Sequence, residues 1–450
     1  MTTAKRGPGA YERAYECAYE HAYDRDRLRR FLSGEAVGEG LSRRGVLRFL
    51  GAVTGLAVTG TGAGIATAAS ATAESATAAS AAAESAAADP RAPGIIKPLP
   101  AELLTVRGTN AETNWAALRG TGYHTPVDRF FVRNHTATPV LDPARWRLTV
   151  WGSGLRGGAV EFSYADLRAL PAVTSSACLE CAGNGRSYFT TQQGDRVTGT
   201  PWTMGAVGAA RWRGARLSDV LRLAGLSPRA VDVMPRGLDA AFVAEGTDHG
   251  RVRRPMPVAK ALDDVLLAYE MNGRPLVPDH GRPVRLVVPS WAGVASIKWV
   301  GDIEVSDRPL FSPWNTVFYR LFGPAHPRGG SAPLTRQPVR SAFELAPGAV
   351  FAAGRGHRLT GRSWSGHGGI RRVEVSTDGG GTWRQARLHD APHPGGWVRW
   401  STTWHPRGTG PAHLLARATD TSGNTQPARS VPNEQGYFFD AVVRHAVEVV

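Results

Sequence analysis

The chain has 450 residues, enough for two to three domains and a sizeable core, and its 42% hydrophobic and 20% charged residues are an ordinary globular balance. The net charge of +15 and a pI near 10.4 point to an anionic partner. Lys and Arg are scattered, however, with no compact basic run interleaved with aromatics in the folded part, which argues against nucleic acid. Three cysteines do not make a disulfide framework.

Residues 11–25 read AYER-AYEC-AYEH-AYDR, a four-residue repeat that puts Tyr11, Tyr15, Tyr19 and Tyr23 on one stripe of a short helix. No function follows from the repeat itself. Arg43 and Arg44 then precede a weakly hydrophobic Gly/Ala-rich run with small residues around Ala66–Ala68, which resembles a twin-arginine export signal. The run lacks the ~20 strongly apolar residues of a membrane span. Export by this route carries folded proteins, and a cofactor inserted in the cytoplasm explains that choice. The expected organisation is an N-terminal extension and signal over 1–72, an Ala/Ser-rich linker over 73–95, and a periplasmic, extracytoplasmic or secreted product. Cys17 falls in a segment expected to be removed or disordered, leaving Cys178 and Cys181.

From Ile95 the composition turns globular. A strand is expected over 145–152, a Ser-capped helix over 163–170, a helix over 216–226 ending at Gly225, a buried strand over 283–290 and a further strand over 296–305. Strands and helices mix without regular alternation, so an α+β catalytic domain is expected over 96–328. After about residue 330, short alternating strands separated by Gly/Asp/Asn turns predict an all-β, immunoglobulin-like sandwich over 329–450. His393-Pro-Gly-Gly matches the haem-ligand motif of cytochrome b5, but it lies in a loop between two strands. A turn is the reading, and no haem is expected.

The stretch AVTSSACLEC (172–181) is β-prone. Residues three apart on a strand face opposite sides, with Cα atoms about 10 Å apart, outside disulfide range. A zinc site needs a second pair of ligands, and none follows. Those two readings are weak. What is left is one thiol at a strand end before the turn AGNGR, with Gly183 and Gly185 open to close approach by something bulky and Arg186 supplying positive charge. A soft thiolate there points to a transition metal.

ECAGNGRS resembles the cysteine motif of the sulfite oxidase family of molybdenum–pterin oxidoreductases. RFFVRNH (129–135), the stretches 201–221 and 266–301, and SWSGHGGIRRVEVSTDGGGTW (363–383) are similar to further family segments in collinear order, over about residues 98–450. The resemblance implies a single pyranopterin dithiolene holding molybdenum, with Cys181 as metal ligand. It implies cofactor contacts from Phe131, Val132, Arg133, Asn134 and His135, from His280 and Arg285, from Ser296, Ile297 and Lys298, and from Asp239. It implies that Tyr319, Arg133, Arg186 and Trp202 form the catalytic pocket. The expected substrate is a small anion, sulfite, oxidised to sulfate by oxygen-atom transfer. The expected electron acceptor is separate, such as a cytochrome c or oxygen, and the expected assembly is a homodimer. The alternative is a same-family reductase of nitrate or of an S- or N-oxide. A phosphate-bearing pterin calls for Arg, Lys and His, and a buried Lys298 calls for an anion. Two positions depart from the vertebrate pattern: Gly185 stands where those members have Arg, and Gln435 where they place a third substrate arginine. One cation fewer lowers the pocket's positive charge.

Overall fold

The computed structural model describes residues 10–33 and 94–450, with side chains from residue 22 in the first stretch. The twin arginines, the small residues around Ala66–Ala68, the linker up to residue 93 and the Cys17 side chain lie outside the described residues. None of the described helices is long and apolar enough to cross a membrane.

Two mixed layers build the first unit. One sheet runs in the order Met256–Pro257, Asp232–Gly237, Val300–Ser306, Arg147–Trp151, Val160–Ser163, with the Val300–Ser306 and Arg147–Trp151 strands parallel and the others antiparallel. The second is antiparallel: Arg274–Pro275, Leu266–Met271, Val207–Arg216 and Ala172–Glu180, with Arg285–Val287 also paired to Leu266–Met271. Between them lies a core of Leu148, Val150, Leu167, Leu217, Leu221, Val233, Leu267, Leu286 and Ile303, all essentially inaccessible to water. The helix Tyr164–Ala169 starts at Ser163, whose hydroxyl and the Asp166 carboxylate form a reciprocal capping box. The helix Leu217–Leu223 ends before Gly225, which sits at φ +86°, the conformation a glycine tolerates best.

Two expected strands are shorter than the sequence suggested. The one over 283–290 pairs only at Arg285–Val287, and the one over 296–305 begins at Val300. Ser296–Trp299 leaves the sheet because Trp299 adopts φ +51°, a turn conformation that frees the preceding side chains for the cavity described below.

The C-terminal unit is a two-sheet β-sandwich. One sheet orders Arg340–Phe343, His357–Trp364, Trp397–Trp404, Arg387–Leu388; the other orders Val350–Phe351, Arg444–Val449, Gly410–Asp420, Ile370–Ser376, Arg384–Gln385. Leu359, Val373, Trp400, Leu414 and Ala418 fill its interior. The two units are bolted together behind the cysteine strand. Arg340 and Glu180, both buried, pair at 2.5 Å, and the Gln337 amide donates to the Cys178 carbonyl at 3.1 Å. The His393-Pro-Gly-Gly turn joins this contact: the Cys178 amide donates to the Gly395 carbonyl at 2.7 Å.

The N-terminal helix corrects one expectation. The segment holding Cys17 was expected to be removed or disordered, and the second alternative is corrected: Ala10–Ser33 is a helix of 24 residues docked on the first unit through Asp232.

Candidate functional site

The strand Ala172–Glu180 ends one residue before Cys181, and the two thiols part as strand alternation requires. Cys178 packs among Trp115, Met204, Trp364 and Trp397 at the junction of the units. Burial raises its thiol pKa well above the usual value, as for a buried apolar-like cysteine. Cys181 faces the other way, into a cavity it lines together with Arg133, His135, Asp239, Arg285, Lys298 and Tyr319. The turn after it is laced shut: Asn184 Nδ2 donates to Glu180 Oε1 at 2.8 Å, while Asn184 Oδ1 accepts from the Ala206 amide at 2.9 Å. The glycines here serve the chain's own close contacts. A Cβ on Gly183 would stand 2.7 Å from the Arg186 guanidinium carbon, and one on Gly185 would stand 3.2 Å from Met204 and Phe439. What approaches this turn is therefore Arg186 and the C-terminal segment.

Most of the expected site residues meet in that one cavity. Phe131, Arg133, Asn134 and His135 enter from one loop, Cys181 from the strand end, and Asp239 from the loop after Gly237. His280 and Arg285 flank a turn at Gly281, and Ser296, Ile297 and Lys298 come from the segment before Trp299, with Tyr319 completing the wall. Three expected residues are elsewhere. Val132 packs against Ile95, Leu99, Leu104 and Ala111, because its backbone bridges to Ala111 and turns its side chain away. Trp202 is fully buried in an apolar layer with Phe130, Phe131, Leu179 and Trp212 and does not line the cavity. Arg186 is held outside it by two backbone carbonyls, Gln435 O and Thr200 O, each at 2.9 Å.

One group of lining residues, Arg285, Lys298 and His280, is basic, and Arg285 and Lys298 are hydrogen-bonded to carbonyl oxygens. Arg285 donates to three backbone carbonyls, Leu286, His280 and Ser296, at 3.0–3.2 Å, and burial lowers its pKa to about 9. Lys298 donates to Asn134 Oδ1 and to the Asp279 carbonyl at 2.8 Å; burial and the Arg285 charge hold its pKa well below the lysine range. His280 is held neutral by burial beside Lys97 and Lys298, and its buried Nε2 has no partner. The nearby Asp279 is occupied, accepting from the Ile96 and Lys97 amides and the Thr138 hydroxyl at 2.6–3.1 Å.

Asp239 is 4% exposed, its Oδ1 is unpaired, and burial raises its carboxyl to about 6. In the metal-free chain the folded state thus binds this proton more tightly than the unfolded chain. Stability falls as pH rises through the window from about 4 to about 6, by about 3 kcal/mol. Asp239→Asn is expected to remove that slope, which denaturant midpoints across the window would check.

A second group surrounds Cys181. Arg133 and Cys181 line the same cavity and interact electrostatically, so the positive charge near the sulfur comes from Arg133, whose guanidinium donates to the Asn134 carbonyl, not from Arg186 as expected. The Tyr319 hydroxyl lies 3.3 Å from His135 Nε2, which also receives the Trp314 indole N–H at 3.3 Å. Indole N–H can only donate, and His135 is held neutral by burial and the Arg133 charge. Nε2 is therefore the bare nitrogen and Tyr319 donates to it. Tyr319 itself sits at φ +57°. Tyr437 from the C-terminal segment stacks on it at 5.2 Å with the rings 10° apart. Arg186 lies 5.2 Å from the Tyr437 ring centroid, so its charge reaches Tyr319 through an intervening ring.

Residues 135–314 match the oxidoreductase molybdopterin binding domain, and residues 347–449 match the Mo-co oxidoreductase dimerisation domain. Sulfite oxidase of Gallus gallus is 37% identical over 371 residues, covering 76% of this chain and 75% of that protein. The chain belongs to the sulfite oxidase family. The mitochondrial sulfite oxidase of Mus musculus is 38% identical, covering 73% of this chain and 62% of that protein, so the chain spans somewhat under two thirds of that relative's length. A nitrate reductase [NADH] of Ulva prolifera is 33% identical, with 75% of this chain and 41% of that protein covered. Among solved structures, the sulfane dehydrogenase SoxCD from Paracoccus pantotrophus superposes with a TM-score of 0.66 at 27% identity, covering 76% of this chain and 85% of that one.

The cavity fits the family's cofactor on its own terms. Arg285, Lys298 and the unpartnered His280 Nε2 bring basic nitrogens to one side of the cavity, where a phosphate would take their hydrogen bonds and hold the two side chains protonated. The unpaired Asp239 Oδ1 is an acceptor for an amino group, and Gly237 leaves it room, since a Cβ there would stand 2.2 Å from that oxygen. Among the described residues no three His, Cys, Asp or Glu side chains cluster to hold a metal, and Cys181 is the thiol that lines the cavity, a soft donor suited to a transition metal.

Sequence reasoning missed Asp279, Tyr437 and the Glu180–Asn184–Arg340 support. Asp279 carried a signal, since it stands immediately before His280 in a stretch already singled out. Tyr437 stands two residues after Gln435, in an aromatic run at a departure from the family pattern.

Proposed function

We propose that this chain oxidises sulfite to sulfate: sulfite and water give sulfate, two protons and two electrons, the electrons passing to a separate acceptor such as a cytochrome c or oxygen. A molybdenum–pterin group, when bound, supplies the oxygen-atom transfer and takes up the electron pair. The observation that carries this reading is the union, in one cavity, of Cys181, Arg133 and Tyr319 with the basic side chains Arg285, Lys298 and His280 suited to the pterin phosphate. Arg133 would hold the anionic substrate by charge. The Tyr319–His135 pair offers a hydroxyl and a neutral imidazole nitrogen to pass the protons released.

Assembly as a homodimer through the C-terminal sandwich, and export by the twin-arginine route, belong to the same reading. The match to a dimerisation domain supports the first. Support for the second rests on the Arg43-Arg44 stretch.

A second reading, reduction of nitrate or of an S- or N-oxide, draws on the Gln435 carbonyl holding Arg186 away from the cavity, which lowers the positive charge facing a substrate. Sulfite-dependent reduction of ferricyanide by the molybdenum-loaded protein supports the first reading. Turnover of nitrate or a sulfoxide from a reduced dye, with no sulfite activity, would replace it by the second.

Tyr437 should tune this reaction through Tyr319. Tyr437→Leu removes the stack and is expected to lower kcat about tenfold, with little change in KM. Tyr437→Phe keeps the stack and should cost about threefold. Steady-state kinetics across pH would check both, because a loosened Tyr319 shifts the alkaline limb of the profile.

A further inference from the structure

The helix Ala10–Ser33, ahead of the twin arginines, presents one face to the catalytic unit: Tyr23, Asp24, Arg27, Leu28 and Phe31 follow helical spacing and are buried or half-buried. Its centre is Asp232, fully buried at the start of the strand Asp232–Gly237. The Tyr23 hydroxyl donates to this carboxylate, and Arg27 donates to it at 3.2 and 3.4 Å while lying 4.4 Å over the Tyr23 ring. The Leu310 amide completes the set at 2.7 Å. A second buried charge is shared across the contact: Arg254, 1% exposed, has Asp24 of the helix and Asp232 of the strand as acidic neighbours.

Further along the helix, the Phe31 ring lies 6.2 Å from that of Phe311 and 5.9 Å from the Arg320 guanidinium. Arg320 follows Tyr319 directly. It donates to Thr316 O, Gly329 O and Ser331 O at 2.7–3.2 Å, lacing together the loop that carries Tyr319. The helix therefore backs the segment that holds the site's tyrosine.

We propose that this surface, formed by Asp232, Arg254, Phe311 and Arg320, is a docking site for the chain's own N-terminal helix, which seats only on the finished catalytic unit and remains seated after the connection between them is cut. The reasons are the composition and layout of the contact. Its partners on the domain lie at 232, 254, 311 and 320, so they come together only once that domain has folded. The helix in turn supplies charged and hydroxyl groups that an uncovered, buried Asp232 would lack. The four-residue repeat then has a role at its last tyrosine: Tyr23, Arg27 and Phe31 continue its i, i+4 spacing along the docked face. The inference concerns the leader and not the substrate, so it holds or fails independently of sulfite turnover.

The test uses the full chain with a protease site placed among residues 34–93. After cutting, the N-terminal fragment is expected to co-elute with the enzyme in size exclusion at micromolar protein. The double change Tyr23→Phe with Arg27→Met is expected to release it. It should also raise amide hydrogen exchange over residues 316–331 about tenfold. Changes at Asp232 would confuse docking with folding, so the helix-side changes carry the test, with far-UV circular dichroism confirming that the double variant is folded. Release of the unmodified fragment on cutting, or retention of the doubly changed one with unaltered exchange at 316–331, would overturn the proposal.

Discussion

Cys181→Ser is expected to lose at least about a thousandfold in sulfite-dependent ferricyanide reduction, a loss of about 4 kcal/mol in transition-state stabilisation, while the chain still folds. The serine oxygen is nearly isosteric but hard, and it cannot replace a soft thiolate as a ligand to a molybdenum–pterin group. The surrounding geometry should survive, because the turn is closed by backbone and by Asn184, not by the sulfur: the Cys181 amide and carbonyl are bonded to Ala206 and Asn184 at 2.9 Å. Cys178→Ala should retain activity within about threefold and cost about 1–2 kcal/mol of stability, the price of a small cavity among tryptophans. Equal losses from the two changes would show that the pair acts as a unit and that this account of it is wrong.

Lys298→Met is expected to act in opposite directions on binding and on stability. In the metal-free chain the Lys298 amine lines a cavity with Arg285 and is hard to protonate, burial and that charge holding its pKa well below the usual range. The folded state is therefore penalised at pH values below the ordinary lysine pKa and gains stability as pH rises through the window between the depressed value and about 10.4. Methionine removes that penalty, so the metal-free variant should melt higher than the parent and show a flatter pH profile. The same change removes a donor for the pterin phosphate and is expected to weaken cofactor retention about a hundredfold, read as molybdenum and pterin per chain after dialysis. A variant that melted lower and kept its cofactor would make Lys298 a structural residue.

Local chemistry was readable from the sequence where it depended on neighbours in the chain. The Ser163 cap, the end of a helix at Gly225 and the opposed faces of Cys178 and Cys181 all follow from short-range rules, and the α+β unit followed by a β-sandwich follows from the texture of the strands. The cavity's cationic residues were found through motifs whose order along the chain matched a family. Membership of a motif does not say which way a side chain points, however. Val132 sits among four cavity-lining neighbours, yet its bridge to Ala111 turns it into another core. Arg186 folds back because Gly183 and Gly199 leave space and because a carbonyl 249 residues away receives it. Trp202 is drawn into an apolar layer that only the assembled sheets create. The N-terminal repeat showed its period plainly, but its meaning rests on Asp232, 209 residues from Tyr23. Tyr437 escaped notice for the same reason: nothing near it in the chain signals that it stacks on Tyr319.

The central claim is that this cavity holds molybdenum through Cys181 and uses it on sulfite. Metal analysis and sulfite turnover on one purified sample test it most directly. The account predicts close to one molybdenum per chain, with sulfite-dependent reduction of ferricyanide that disappears in Cys181→Ser. A sample carrying stoichiometric molybdenum but inert toward sulfite, or a sulfite-active sample free of molybdenum, would contradict it.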